Sequence, residues 1–192
     1  MPSADTSDLD AGARRTLLEL ARRSIANGLR EGRALAAHAG DFGDTLQAKR
    51  AAFVTLKEGE RLRGCIGHLQ AVQPLVQDVA ENAFAAAFRD PRFPPLQPDE
   101  FDGVRIEISV LSPPEPMRFT SEQDLLAQIR PGRDGLILED GAARGTFLPS
   151  VWESLPDPGD FLRHLKLKAG LPPDHWSPQL RMSRYRTESF AE

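Results

Sequence analysis

The spacing of apolar positions changes several times along the chain, and each change predicts an element. From about Asp8 to Leu29, residues Leu17, Leu18, Ala21, Ile25 and Leu29 recur at helical spacing, with Arg14, Arg15, Arg22, Arg23 and Arg30 on the polar side. Ser7 or Asp8 is the expected N-cap, because its side-chain oxygen can accept an orphan amide hydrogen of the first turn. Asn27-Gly28 and Gly32 weaken the far end, and a polar connection through Gly40 and Gly43 follows. Then the period becomes two. Phe53 to Leu56 predicts a strand, Lys57 to Glu60 a turn, and Arg61 to Leu69 a returning strand that carries Gly64 and Gly67. Glycine inside a strand weakens the ladder and marks a bulge or the close approach of another group.

A second helical stripe runs through Val76, Val79, Ala80, Ala83, Phe84, Ala87 and Phe88, opened by Pro74 and stopped by Asp90-Pro91. After a proline-punctuated loop, Val104, Ile106, Ile108 and Val110 alternate strictly with polar residues, as in a half-buried antiparallel strand. Pro113 to Pro116 predicts a stiff connection. Beyond it come a short helix with Thr120 and Gln123 as a capping box, a hairpin turning at Asp140-Gly141, and a helix from about Gly159 to Ala169 capped near Asp157. Pro172-Pro173 ends that stretch, and Leu180 to Phe190 predicts a basic, mostly polar strand at a sheet edge.

Helices and hairpins among strands too close for parallel crossovers predict an α+β fold built of antiparallel sheets. The expected organisation is a larger subdomain, residues 1–117 with 178–192, and a smaller inserted one, residues 118–177. A cleft is expected to separate them.

Composition narrows the function. The 192 residues are 40% hydrophobic and 27% charged, the mix of a globular protein. The longest apolar run, Ala83 to Phe88, is far short of the roughly 18 residues a membrane span needs. The first residues, Met1 to Asp5, lack the basic and apolar regions of a secretory signal, so a cytoplasmic protein is expected. With 24 basic and 28 acidic residues the net charge is −4, so no global field attracts nucleic acid, and neither a recognition motif nor a phosphate-binding loop is present. One cysteine can neither form an internal disulfide nor hold an iron–sulfur cluster.

That cysteine is the focus of the candidate chemistry. Cys65 could serve as a thiol nucleophile if a positive charge or a histidine favoured its thiolate, and Arg63 and His68 are close in sequence. In a regular strand Arg63 shares the face of Cys65 and His68 does not; a bulge at Gly67 would bring His68 round. Two other roles stay open: a buried core thiol, the common fate of free cysteine, and ligand contact without covalent chemistry. Cys65-x-x-His68 has metal-ligand spacing, but nothing supplies a second pair, so neither a metal nor another cofactor is expected. Arg89-Asp90-Pro91-Arg92 can offer two guanidinium forks to an anion at a helix end, or pair them locally with Asp90. The candidate ligand-binding set is therefore Arg63, Gly64, Gly67, Arg89 and Arg92, with Cys65 and His68 as the candidate catalytic pair.

Leu62-Arg63-Gly64-Cys65-Ile66-Gly67 resembles the signature of the AMMECR domain family, whose bacterial members are called AmmeMemoRadiSam system protein A. The resemblance extends to Ala87–Leu96, Ile106–Ser112, Gly145–Pro149 and Lys166–Leu171, so it covers about residues 50 to 172 in the family's order. His68 resembles the bacterial form of the motif, whereas Ser150 stands where glutamine is expected in bacterial relatives. The resemblance implies two antiparallel-sheet subdomains, the larger built from both chain ends, with the signature strand facing the cleft. It further implies an association with a Memo-like protein and a radical S-adenosylmethionine enzyme. The chain cannot be that enzyme, whose cluster needs three cysteines. The resulting expectation is an accessory or partner-dependent protein that binds a peptide, protein or other ligand in the cleft; the alternative is an enzyme using Cys65 as nucleophile.

Overall fold

The computed structural model describes residues 9–192. In chain order the elements are α1 (Ala11–Glu31), α2 (Asp44–Gln47), β1 (Ala52–Glu58), β2 (Arg61–Gly67), α3 (Leu75–Phe88), β3 (Val104–Leu111), β4 (Glu115–Pro116), α4 (Glu122–Gln128), β5 (Gly135–Asp140), β6 (Ala143–Phe147), α5 (Pro158–Lys168), β7 (Arg181–Tyr185) and β8 (Thr187–Ala191). They build two four-stranded antiparallel sheets, ordered β2-β1-β3-β8 and β4-β7-β5-β6. The fold is α+β. The chain divides into two compact units: the residues up to Ser112 together with Glu188–Glu192, and Pro113–Thr187. Among the described residues, no helix is long and apolar enough to cross a membrane.

The first unit places α1 and α3 on the apolar face of its sheet. Val54 and Leu56 from β1, and Val104, Ile106, Ile108 and Val110 from β3, are buried there against Val76, Val79 and Ala83 of α3. Full burial of such side chains contributes about 1.5–3 kcal/mol each. The helix α1 starts with Asp10 as its N-cap, its carboxylate accepting from the Ala13 amide at 2.7 Å; Ser7 and Asp8 lie outside the described residues. Gly28 does not merely weaken this helix. A Cβ there would run into the rings of Phe84 and Phe88, so Gly28 lets those α3 rings pack directly on α1.

The second unit has its own core, in which Trp152 stacks on Phe161 at 3.8 Å between centroids and donates Nε1–H to the Asp134 carbonyl at 2.7 Å. Three sequence expectations need correction here. Glu115-Pro116 is not only a stiff connection but an edge strand paired with Arg184 and Ser183, a place where proline's missing donor is tolerated. The N-cap of α4 is Ser121, whose hydroxyl accepts from the Asp124 amide at 3.1 Å. Leu180 to Phe190 is not one edge strand. It forms β7, interior to the second sheet with Met182 and Tyr185 buried, and then β8, which returns to the first sheet.

Candidate functional site around strand β2

β2 lies at one edge of its sheet, paired only with β1. Opposite Leu56 and Lys57 the register shifts: Leu62 faces Lys57 and Gly64 faces Leu56, so Arg63 is the extra residue of a bulge. The bulge thus falls at Arg63 rather than at Gly67. Arg63 is 7% exposed. Its Nε donates to Glu100 at 2.8 Å and its Nη2 to the Pro94 carbonyl at 3.0 Å. Each partner steadies the other's charge, raising the Arg63 pKa and lowering that of Glu100. The remaining nitrogen, Nη1, is buried and meets no acceptor. An unmet buried donor carries the full cost of its lost hydration.

Both motif glycines have a packing reason. A Cβ on Gly64 would strike the Ala86 carbonyl of α3, so the missing side chain lets helix and strand backbones close up. A Cβ on Gly67 would enter the ring of Phe53, its cross-strand partner. The glycines that looked like room for a ligand are filled by the protein's own backbone and an aromatic ring.

Cys65 is half-buried and faces Thr55 across the ladder. The Thr55 hydroxyl donates to Sγ at 3.2 Å. The Cys65 amide points to the open edge, where Asp90 accepts it at 2.9 Å. The same carboxylate takes Arg92 through its backbone N–H at 3.1 Å, Nε at 3.0 Å and Nη2 at 2.7 Å. Arg92 also reaches the Cys65 carbonyl at 3.4 Å. Asp90 is buried, and the Arg92 guanidinium, aided by the two amides, holds its carboxyl well below the usual carboxylate range. One ion pair therefore closes both main-chain groups of Cys65, the kind of charged cover that keeps an edge strand from pairing with another chain. Arg89 lies over the Phe84 ring at 5.0 Å, its guanidinium outside this pair.

His68 belongs to a different network. Its Nδ1 is 2.7 Å from Asp78 Oδ1, while Oδ2 of the same carboxylate accepts from the Ala52 amide at 2.9 Å and from Asn82 at 3.0 Å. Asn82 donates in turn to the Ala52 carbonyl at 3.1 Å. Asp78 and Asn82, one turn apart on α3, thus grip both backbone groups of the first β1 residue, and His68 sits on the outer side of that grip.

A profile of the AMMECR1 family matches residues 18–190. The chain belongs to the AMMECR1 family. A protein of Methanothermobacter thermautotrophicus is 43% identical over 184 residues, covering 93% of each chain. Protein MJ0810 of Methanocaldococcus jannaschii is 40% identical, over 79% of this chain and 77% of its own. Among solved structures, the uncharacterized protein PH0010 from Pyrococcus horikoshii superposes with a TM-score of 0.79 at 38% identity, covering 92% of this chain and 90% of that one.

In this AMMECR1-family chain, Cys65 and Arg92 share the Asp90 clamp, whereas Arg63 pairs with Glu100, Gly64 and Gly67 pack against Ala86 and Phe53, Arg89 lies over Phe84 and His68 is held by Asp78. Among the described residues, no three of His, Cys, Asp and Glu are placed to hold a metal ion. Glu100, Asp78 and Asn82 escaped the sequence reading. Asp78 and Asn82 did leave a signal, being polar residues four apart beside an apolar stripe, but a helix buried on more than one side was not evident from that stripe alone.

Proposed function

We propose that this protein is an accessory, partner-dependent binding protein whose recognition surface is the outer side of β2 and the Asp90–Arg92 pair, rather than a thiol enzyme. The observation that carries this reading is the separate engagement of Cys65 and His68. The thiol takes a hydroxyl hydrogen from Thr55, and the imidazole is held by Asp78. A nucleophile and its base need to stand within hydrogen-bond reach of each other. The exposed guanidinium of Arg92, 55% accessible while anchored on its inner side, is suited to hold a carboxylate or a main-chain carbonyl of a partner. The family resemblance supports a Memo-like protein and a radical S-adenosylmethionine enzyme as the partners to test.

Co-purification with those two proteins tests the reading. Cys65→Ser should retain the complex, whereas Arg92→Glu with Arg89→Glu should weaken it by about tenfold or more, the scale of a lost charge-assisted contact. A complex indifferent to the arginines would overturn the proposed surface. A Cys65→Ser chain that loses a chemical turnover while keeping its partners would establish the thiol enzyme instead.

A further inference from the structure

The second unit contains a cavity of about 530 Å³ that the reading above does not use. Its walls include Phe119 and Trp176, the guanidinium-bearing residues Arg118 and Arg181, and one carboxylate, Glu139. The volume is that of a small-molecule site.

Trp176 is set in place by its neighbours in sequence. Asp140 Oδ2 pairs with His175 Nε2 at 2.6 Å and accepts from the Ser177 hydroxyl at 2.8 Å. One carboxylate therefore grips the residues on both sides of Trp176. Phe119 braces the indole at 5.6 Å between centroids, and the fully buried Lys166 places its Nζ 5.8 Å from the ring. Lys166 is neutralised by Glu122 at 2.9 Å. The indole nonetheless remains 39% exposed at the cavity. An aromatic side chain fixed this firmly and left partly bare is a prepared stacking surface, with little ordering left to be done on binding.

The charges favour an anion. Glu139 is drawn toward Arg144 on β6 at 3.6 Å, while Arg181 is its cross-strand neighbour on the other side. Among the described residues, the side chains of Arg118 and Arg181 make neither a hydrogen bond nor an ion pair. Two exposed arginines without an ion-pair partner thus line a cavity whose carboxylate has another partner.

We infer that this cavity binds a small aromatic anion, its ring against Trp176 and Phe119 and its phosphate or carboxylate on Arg118 and Arg181. The site lies within the second unit and stands independently of the β2 surface. Titration of the full chain with 1-naphthyl phosphate, followed by tryptophan fluorescence and ligand-observed NMR, tests it. Saturable binding is expected, with 1-naphthol and inorganic phosphate each at least about tenfold weaker, since each supplies half of the contacts. Arg118→Ala with Arg181→Ala should weaken the naphthyl phosphate by about tenfold and leave naphthol unchanged. Trp176→Phe should remove the fluorescence response while the NMR signal persists, which locates the ring and leaves the fold intact. Equal binding of naphthol and naphthyl phosphate, or an unchanged affinity in the double arginine variant, would overturn the inference.

Discussion

Asp90 and Asp140 invite comparison because each is a carboxylate that gathers several donors, and in each unit a chemically interesting side chain depends on it. Asp90 holds the main chain of β2 and the Arg92 guanidinium. Asp140 holds two side chains, His175 and Ser177, that flank a single tryptophan. Both carboxyls are kept below their ordinary range, Asp90 chiefly by Arg92 and Asp140 chiefly by His175. The difference lies in what each secures. Asp90 closes the edge of a sheet whose other face is the core, so its loss is felt by the fold. Asp140 fixes a loop at the rim of a cavity, so its loss is felt locally.

Filling the space beside the Asp90 clamp is the most forceful way to break that contrast. Gly64→Ala pushes a methyl group into the Ala86 carbonyl of α3, and backbone cannot rotate out of the way. Denaturant unfolding should show a loss of about 3 kcal/mol, the upper end for overpacking. A smaller loss would mean that β2 and α3 can slide apart. Asp90→Ala should come next, at about 1–3 kcal/mol, because it strands the Cys65 amide and leaves a gap where the buried carboxylate was, while the exposed Arg92 guanidinium turns to water. Asp140→Ala should shift the unfolding midpoint less than either, yet raise the quenching of Trp176 by acrylamide. Equal midpoint shifts for the two aspartates would erase the distinction between fold and loop.

Acid sharpens the comparison further. A carboxyl whose folded pKa is depressed contributes stability that is complete above its unfolded value of about 3.9 and is lost as the pH falls below it toward the folded value. The stability gap between the parent chain and Asp90→Asn should accordingly be widest near neutrality and narrow below about pH 4 in denaturant titrations. The smallest effect concerns His68. If His68 does not act on the thiol, His68→Ala should leave the alkylation rate of Cys65 within about twofold, since only a nearby base or charge would change thiolate reactivity strongly.

What the sequence made legible was whatever depends on period. The alternation in β3 and the stripe on α3 identify those elements and their buried faces directly, and the hairpin of β1 and β2 follows from its turn. The site was legible as a location and not as an arrangement. Gly64 and Gly67 announced close approaches, but whether a ligand, a helix or a ring arrives there depends on tertiary contacts that no local pattern encodes. Likewise the bulge at Arg63 coincides with a partly buried ion pair to Glu100, 37 residues away, and strand periodicity carries no trace of it. The tail misled because β7 is central in its sheet while presenting Ser183 and Arg184 between its buried Met182 and Tyr185.

The return of β8 to the first sheet has a consequence for how the protein is made. The strand that lies beside β3 emerges from the ribosome only after all of Pro113–Thr187 has been translated. At about 5–20 residues per second, the first sheet waits roughly 4–15 s for its last strand. Throughout that interval β3 is an edge, and the contacts that Glu188 makes to Leu9 and Arg14, and Glu192 to Arg22 and Ile106, do not yet exist. The nascent chain must therefore hold an unfinished sheet open while a whole second unit is synthesised, and α1 is locked down by residues that follow that unit.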